Sequence, residues 1–199
     1  MSSRYKEGFN VILADPPWDF RQKLGSRGAD KKYSTIPDKA LMDLDVGSLG
    51  AANCTLFLWT TASHLPVAIN LMEKWGFKYN TVAFTWVKTK KNSPLEYSMG
   101  MGFSTRSNAE FCLLGKRGSL ERKDKAVHSI VAEPRGPHSA KPEAVREGIE
   151  RLYGDVPRLE LFARYCRAGW VQTGFEMDGR DISDFISFWK DWKERVPDK

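Results

Sequence analysis

The chain is poor in the residues that build staples and metal cages, with 3 cysteines and 3 histidines among 199 residues. Cys54, Cys112 and Cys166 stand more than fifty residues apart, which excludes a disulfide framework and matches no zinc-ligand spacing. Cys54 and Cys112 fall inside apolar runs and read as reduced core thiols. His64, His128 and His138 are equally scattered, no pair has the i, i+4 spacing of a zinc helix, and no metal is assigned. Long apolar runs are missing too. Stretches such as Val11–Ala14 and Leu56–Trp59 fall far short of the roughly 18 residues a membrane span needs. The opening Met-Ser-Ser-Arg-Tyr-Lys-Glu-Gly has no apolar signal core, which points away from secretion. These absences predict a soluble, cytoplasmic protein. Internal repeats, low-complexity tracts and a Gly-x-Gly-x-x-Gly loop are absent as well.

What is present suits a folded enzyme-sized domain. About 150 residues is the usual size of one domain, so the length predicts one domain and an appendage. Apolar residues make up 41% and aromatics 12%, enough for a sizeable core and too much for a disordered chain. The formal net charge is +6, and its distribution says more than its size. Arg21, Lys23, Arg27, Lys31 and Lys32 stand against one aspartate between positions 21 and 32. Lys88, Lys90 and Lys91 form a second cluster, and Lys116–Lys125 holds five basic residues against two acidic. All three stretches read as polar loops. They fit a nucleic-acid track held by phosphate neutralisation, and charge alone fits plain solvation as well.

Strand and helix patterns alternate along the chain. Phe9–Ala14 is a short apolar, β-branched run suited to a strand buried on both faces. A short helix over Pro37–Leu44 follows, then a second buried strand at Cys54–Trp59. Ser63 is placed to cap a helix with Pro66 in its first turn; Ala68, Leu71, Met72 and Trp75 share one face, and Gly76 stops it. Thr81–Val87 is a third strand. Residues 88–108, with Pro94, Gly100 and Gly102, read as a long loop of the kind usually tied to function. Glu110–Leu114 and Ile130–Ala132 are further strands. A helix with Val145, Ile149 and Leu152 on its buried face runs to Gly154, and Arg158–Phe162 and Trp170–Thr173 close the series. The order predicts an α/β fold with helices on both faces of an open sheet. Residues 1–180 form the expected catalytic domain. Residues 181–199 form an appended amphipathic helix with Ile182, Phe185, Ile186, Trp189 and Trp192 on one face, docked on its own domain or on a partner.

The most informative residues are Asp15-Pro16-Pro17-Trp18, directly after the first buried strand. Ligands in open α/β sheets bind beyond the carboxyl ends of the strands, where this tetrapeptide falls. Pro16 and Pro17 stiffen the turn and supply no amide hydrogens. What remains are acceptors, the Asp15 carboxylate and the Asp15 and Pro16 carbonyls, beside the ring of Trp18. Acceptors next to an aromatic plane suit an –NH2 donor on a flat ring, such as the exocyclic amine of adenine. Hydrogen bonds from both N–H groups would help that nitrogen pyramidalise and would stabilise the positive charge growing on it. Trp18 is expected to stack on the ring, which is worth about 1–3 kcal/mol for a base. Without the aromatic, a proline-stiffened structural turn explains the motif equally simply.

Asp15-Pro-Pro-Trp18 resembles the signature of amino-methyltransferases that use S-adenosylmethionine (SAM), and more narrowly the MT-A70 family of adenine-N6 methyltransferases. The resemblance runs from Phe9 to Gly174. It rests on Leu58-Trp59-Thr60, Leu71–Phe77, Thr85-Trp-Val-Lys88, Gly102 with Glu110–Arg117, Pro137-His-Ser-Ala-Lys-Pro142, and Leu159–Arg164 with Gly169-Trp170. It implies a Rossmann-like methyltransferase fold with a mixed, mostly parallel sheet and permuted motif order, which explains the missing glycine-rich loop. By the resemblance, Lys141 pairs with the SAM carboxylate and Leu161, Phe162, Ala163 and Arg164 line the cofactor, with Arg164 near the ribose. Ile12 to Asp15 contact its adenosine or amino-acid end. Gly174 is followed by Phe175 where the family commonly has Asn, so the ribose contact is expected from Glu176 instead.

The resemblance implies SAM-dependent methylation of adenine N6 in a nucleic acid. The target base enters the Asp-Pro-Pro-Trp pocket unstacked. Arg21, Lys23, Lys32, Lys88, Lys90, Lys91 and Arg106 are the candidate strand contacts. DNA is favoured over RNA because the chain looks like the compact, stand-alone members. Cytosine-N4 methylation, an RNA substrate, and a non-catalytic nucleic-acid-binding subunit are the competing readings, and a homodimer or a heteromeric methyltransferase partner is compatible with each.

Overall fold

The computed structural model describes residues 2–19, 35–100, 102, 104–136 and 140–196. Eight strands form one sheet: β1 (Phe9–Ala14), β2 (Gly50–Thr61), β3 (Lys78–Lys90), β4 (Ser93–Tyr97), β5 (Ala109–Arg117), β6 (Ile130–Pro134), β7 (Arg158–Leu161) and β8 (Val171–Thr173). Their order is β4-β3-β5-β2-β1-β7-β8, with β6 beside β3. Four of the seven pairings are parallel (β1 with β2 and β7, β3 with β6, β7 with β8) and three are antiparallel. Among the described residues the α-helices are α1 (Asp38–Met42), α2 (Leu65–Lys74), α3 (Glu143–Tyr153), α4 (Phe175–Asp178) and α5 (Ile182–Arg195). This is the expected Rossmann-like arrangement of a mixed sheet covered on both faces. None of the described helices is long and apolar enough to cross a membrane.

Period-two burial along the central strands splits the core between the two faces. Ile12, Ala14, Leu56 and Leu58 point to one face and meet α1, α2 and α5 through Leu41, Leu71, Met72, Phe185 and Trp189. Val11, Leu13, Phe57 and Trp59 point to the other and meet α3 through Val145, Ile149 and Tyr153. The second helix ends as its residues dictate: Gly76 takes φ +82°, where a side chain would be strained. Trp75, just past its end, donates its indole N–H to the Leu41 carbonyl at 2.9 Å. The C-terminal helix is capped by Asp181, whose carboxylate accepts from the Ser183 amide. Trp189 of that helix is fully buried, its ring 4.6 Å from that of Phe9.

Several boundaries differ from the sequence expectation. β1 coincides with it, but β2 and β3 run several residues longer because partner strands extend beside them. Ser63 is not a cap: it sits within a short 3-10 turn, Ala62–His64, and α2 starts at Leu65 without a side-chain cap. The supposed loop 88–108 contains β4, which folds back on the end of β3 as a hairpin. Pro94 is tolerated there because β4 is the edge strand and needs no donor on its open side. Cys54 and Cys112 are free and buried, and burial pushes the Cys54 thiol up to about 12.

Candidate active site

Topology gathers one set of groups at one edge. β1 and β7 are parallel neighbours, so Asp15 and Phe162 leave the sheet side by side. β5 runs antiparallel to β2 and β3, which brings its first residues to the carboxyl ends of both. Glu110 therefore stands opposite Thr61 of β2 and Trp86 of β3, close to Lys88. β1 is also where the chain goes from one neighbour to the other, the position at which an open sheet leaves a crevice.

The Asp-Pro-Pro turn closes on itself: the Trp18 amide donates to the Pro16 carbonyl at 2.9 Å, and the Ile36 amide to the Pro17 carbonyl at 3.0 Å. One lone pair of the Pro16 carbonyl, expected to be an open acceptor, is thus already used. Asp15 Oδ2 accepts from Lys141 Nζ at 2.7 Å. Lys141 also lies 3.3 Å from Glu110 Oε2, and Lys88 donates to Glu110 Oε1. The result is a file of alternating charges, Asp15, Lys141, Glu110, Lys88, whose sum is zero. Lys141 directly precedes Pro142, and its ammonium lies 5.6 Å from the centre of the Trp59 ring. Burial alone would push that ammonium down, but Asp15 and Glu110 outweigh it and hold the pKa above the ordinary lysine value. Burial would likewise raise Glu110, but Lys141 and Lys88 bring it below the ordinary carboxylate range. Among the described residues Asp15 Oδ1 carries no hydrogen bond.

The opposite wall is built from backbone. Phe162, after β7, has φ 61°, the one non-glycine residue with positive φ among those described. Such a conformation costs on the order of 1–3 kcal/mol and persists only where surroundings impose it. They are visible here: Ala163 donates its amide to the Thr173 carbonyl at 3.0 Å, and a Cβ on Gly174 would lie 2.2 Å from the Ala163 carbonyl oxygen. Only glycine lets the turn lie that close. Beneath it Arg146 grips Glu160 with its Nε at 3.2 Å from both carboxylate oxygens, and Gln172 donates to Glu160 at 2.9 Å. Between the walls is an open cleft lined by Asp15, Trp59, Lys141, Glu160, Phe162 and Arg164 among others.

The expected site residues divide. Asp15, Lys141, Phe162 and Arg164 meet at this cleft. Glu176 lies next to it, its carboxylate 3.6 Å from Arg164 Nε. Ile12, Leu161 and Ala163 do not present side chains to it: all three are buried, Ile12 and Leu161 in the core under α1, α2 and α5. Trp18 does not offer its ring as an open platform. It is 5% exposed, donates its indole N–H to the Trp59 carbonyl at 3.0 Å and packs on His64, because the closed turn carries it inward. Lys88 is not a surface contact, since Glu110 holds it beside the Trp86 ring. Lys90 is exposed but paired with Glu96, while Lys91 and Arg106 are exposed. Arg21, Lys23 and Lys32, and the Pro137-His-Ser part of the Lys141 block, lie outside the described residues. Glu110 and the Arg146–Glu160 pair were not foreseen as site residues. The signal for Glu110 was a lone charge opening an otherwise apolar strand.

Known proteins carry related sequences. A family model described as MT-A70 matches residues 9–176. The type II methyltransferase M.MunI of Mycoplasma sp is 36% identical over 197 residues, covering 89% of this chain and 81% of that protein. An N(6)-adenosine-methyltransferase MT-A70-like protein of Arabidopsis thaliana is 32% identical and covers 86% of this chain but 24% of its own length. The human N(6)-adenosine-methyltransferase catalytic subunit METTL3 is 29% identical, over 96% of this chain and 32% of its own. The chain thus spans a quarter to a third of these two eukaryotic relatives. The match runs from the first residue of β1 through Gly174 to Glu176 and so takes in both walls of the cleft: the chain belongs to the MT-A70 family.

Proposed function

We propose that the protein transfers the methyl group of SAM to the exocyclic N6 of adenine in a nucleic acid. The observation that carries this reading is Asp15: a carboxylate on a proline-stiffened turn that lines the cleft, with one oxygen pinned by Lys141 and the other without a hydrogen bond among the described residues. The opposite wall suits the donor molecule. Its strained Phe162 turn and the Gly174 contact form a shallow backbone cradle, with Arg164 and Glu176 at the rim. The site holds both signs of charge, as a zwitterionic ligand with a ribose requires. Lys141 has three N–H donors and uses two on Asp15 and Glu110, which leaves one for a ligand carboxylate. Glu176 is the acceptor we assign to the ribose hydroxyls.

SAM supplies an electrophilic methyl group when bound. The chain's own task is to make a poor nucleophile competent. An adenine amine donating to Asp15 Oδ1 and to the second lone pair of the Pro16 carbonyl is drawn out of conjugation with its ring. The same acceptors stabilise the positive charge that develops on nitrogen. No base with a specially tuned pKa is needed, because the methylated nitrogen is acidic enough to release its proton afterwards.

DNA is the favoured substrate over RNA, since a relative matched over 81% of its own length is a type II methyltransferase. The test is transfer of labelled methyl from SAM to double-stranded DNA, single-stranded DNA and RNA, followed by digestion to nucleosides. N6-methyladenine from DNA is the expected product. Asp15→Ala is expected to abolish transfer while SAM still binds. Full activity in that variant overturns the mechanism, and N4-methylcytosine as product overturns the choice of base.

A further inference from the structure

The hairpin of β3 and β4 carries an apolar patch beside a polar site. Leu95 is 94% exposed, Met99 76% and Tyr97 65%. Single exposed apolar residues are ordinary; three within five positions are not. Leu95 and Tyr97 are two apart on β4 and so share one face of the ribbon. Glu96 between them turns the other way and holds Lys90.

The ribbon is anchored to the charged file. The Lys88 amide donates to the Asn108 carbonyl at 3.0 Å, and the Ser98 amide donates to the Lys88 carbonyl at 2.8 Å, with Thr89 opposite Tyr97. The return of the chain is tight: a Cβ on Gly100 would lie 1.8 Å from the Ser107 carbonyl oxygen, so this backbone rests directly on the segment that carries Arg106. Lys91 and Arg106 expose their cations on either side of the ribbon in sequence. Lys88 itself ends on Glu110, two ion pairs from Asp15.

An adenine in a duplex cannot reach a carboxylate at the edge of a sheet without leaving the stack, and the helix it leaves is held open at a cost. Proteins that unstack a base step commonly insert an apolar or aromatic side chain into it. We propose that this hairpin is the wedge: Leu95 and Tyr97 enter the duplex beside the target adenine and fill the gap it leaves, while Lys91 and Arg106 hold the flanking phosphates. Lys91 lies in the turn that joins β3 to β4, and Arg106 precedes Ser107, on which Gly100 rests, so exposed cations flank the apolar pair along the chain as phosphates flank bases. The inference rests on the adenine-methylation reading and adds to it a preference for paired substrate.

The experiment compares wild-type protein with the double variant Leu95→Ala, Tyr97→Ala on three DNAs: a duplex, the same duplex with an abasic site opposite the target adenine, and the single strand. The double variant is expected to lose about tenfold or more on the intact duplex, and to stay within about twofold on the other two, where no pair has to be broken. Fluorescence of 2-aminopurine at the target position is expected to rise with wild type and stay quenched with the variant. Tyr97→Phe, which keeps the ring, is expected to retain duplex activity. Equal loss on all three DNAs, or no loss on the duplex, overturns the wedge. A wild-type dimer that the double variant turns into monomer in sedimentation also overturns it, because the patch is then a protein contact. A wild type confined to single strands overturns the wedge and leaves the methylation reading standing. A wild type inactive on every adenine-containing strand overturns both.

Discussion

On one side of the crevice four charges alternate in single file, Asp15, Lys141, Glu110 and Lys88, each paired with the next, and the first two line the cleft. On the other, Arg146 and Glu160 form a closed bidentate pair under a turn held by backbone contacts. The side chains of Arg146 and Glu160 are 10% and 6% exposed, against 27% for Asp15. The first wall reaches the mouth through Asp15, whose Oδ1 has no hydrogen bond among the described residues, so a ligand group can join it without breaking the pair with Lys141. The second cannot admit one in this way, because breaking a buried pair leaves a bare charge in a low dielectric. The walls therefore suit different ligands: a reacting amine that gains charge during the reaction, and a donor molecule that has only to be held still.

The largest effect is expected at the first wall. Asp15→Asn keeps the size of the side chain and removes its charge, so methyl transfer is expected to fall about 10²- to 10³-fold in kcat, with SAM affinity changed far less. A fall confined to the KM for SAM would show that Asp15 serves the donor and that the two walls are not distinct. The next effect is one of stability. Arg146→Met is expected to cost roughly 3–5 kcal/mol in denaturant unfolding, by stranding Glu160. The double variant Arg146→Met, Glu160→Gln is expected to recover much of it, since the cost lies in the uncompensated charge. A single variant as stable as wild type would place the rigidity of this wall elsewhere.

Gly174→Ala probes the same wall more gently. Its Cβ would meet the Ala163 carbonyl oxygen at 2.2 Å, so the Phe162 turn has to move outward. A shift of that kind is expected to cost about 1–3 kcal/mol, which appears as about a tenfold rise in the dissociation constant for SAM in calorimetry. Transfer at saturating SAM is expected to stay near wild type. A variant that binds SAM normally but transfers slowly would assign the turn to the reaction rather than to the donor.

The two walls also differ in how far they could be read in advance. Asp15 was legible because a buried strand followed by Asp-Pro-Pro is a local pattern, complete within ten residues. Lys141 and the Phe162–Arg164 turn were identified through family resemblance alone; nothing in their spacing brings residues 15, 141 and 162 together. Glu110 was missed because its role comes from β5 running antiparallel, which puts a strand's first residue at its neighbours' carboxyl ends. Strand direction is set by the whole sheet and leaves no local mark. Trp18 misled for the opposite reason. An aromatic after Pro-Pro looks like a platform, but the closed turn and the Trp59 carbonyl draw it into the core. Pro94 hid β4, since proline argues against a strand everywhere except at an edge, and edges are known only once the order is.

The smallest expected effect is the pH dependence that Glu110 confers, and it bears on whether the file of charges is a unit. Burial acts to raise the Glu110 pKa, but Lys141 and Lys88 outweigh it, so the carboxyl is more acidic folded than unfolded. A depressed folded pKa means that the unfolded chain takes up the proton first as pH falls. The stabilisation is therefore complete above the ordinary carboxylate range and is lost as pH falls through that range toward the folded value. Lys141 adds nothing to this window, since its raised pKa is felt only in strong base. Glu110→Gln removes the titrating group and leaves both lysines in place. Its unfolding free energy is expected to be lower than wild type at neutral pH, and the difference is expected to narrow steadily on acidification. A difference that stays constant from neutral to acid would mean that Glu110 contributes packing alone, and that Lys141 and Lys88 are held by other groups.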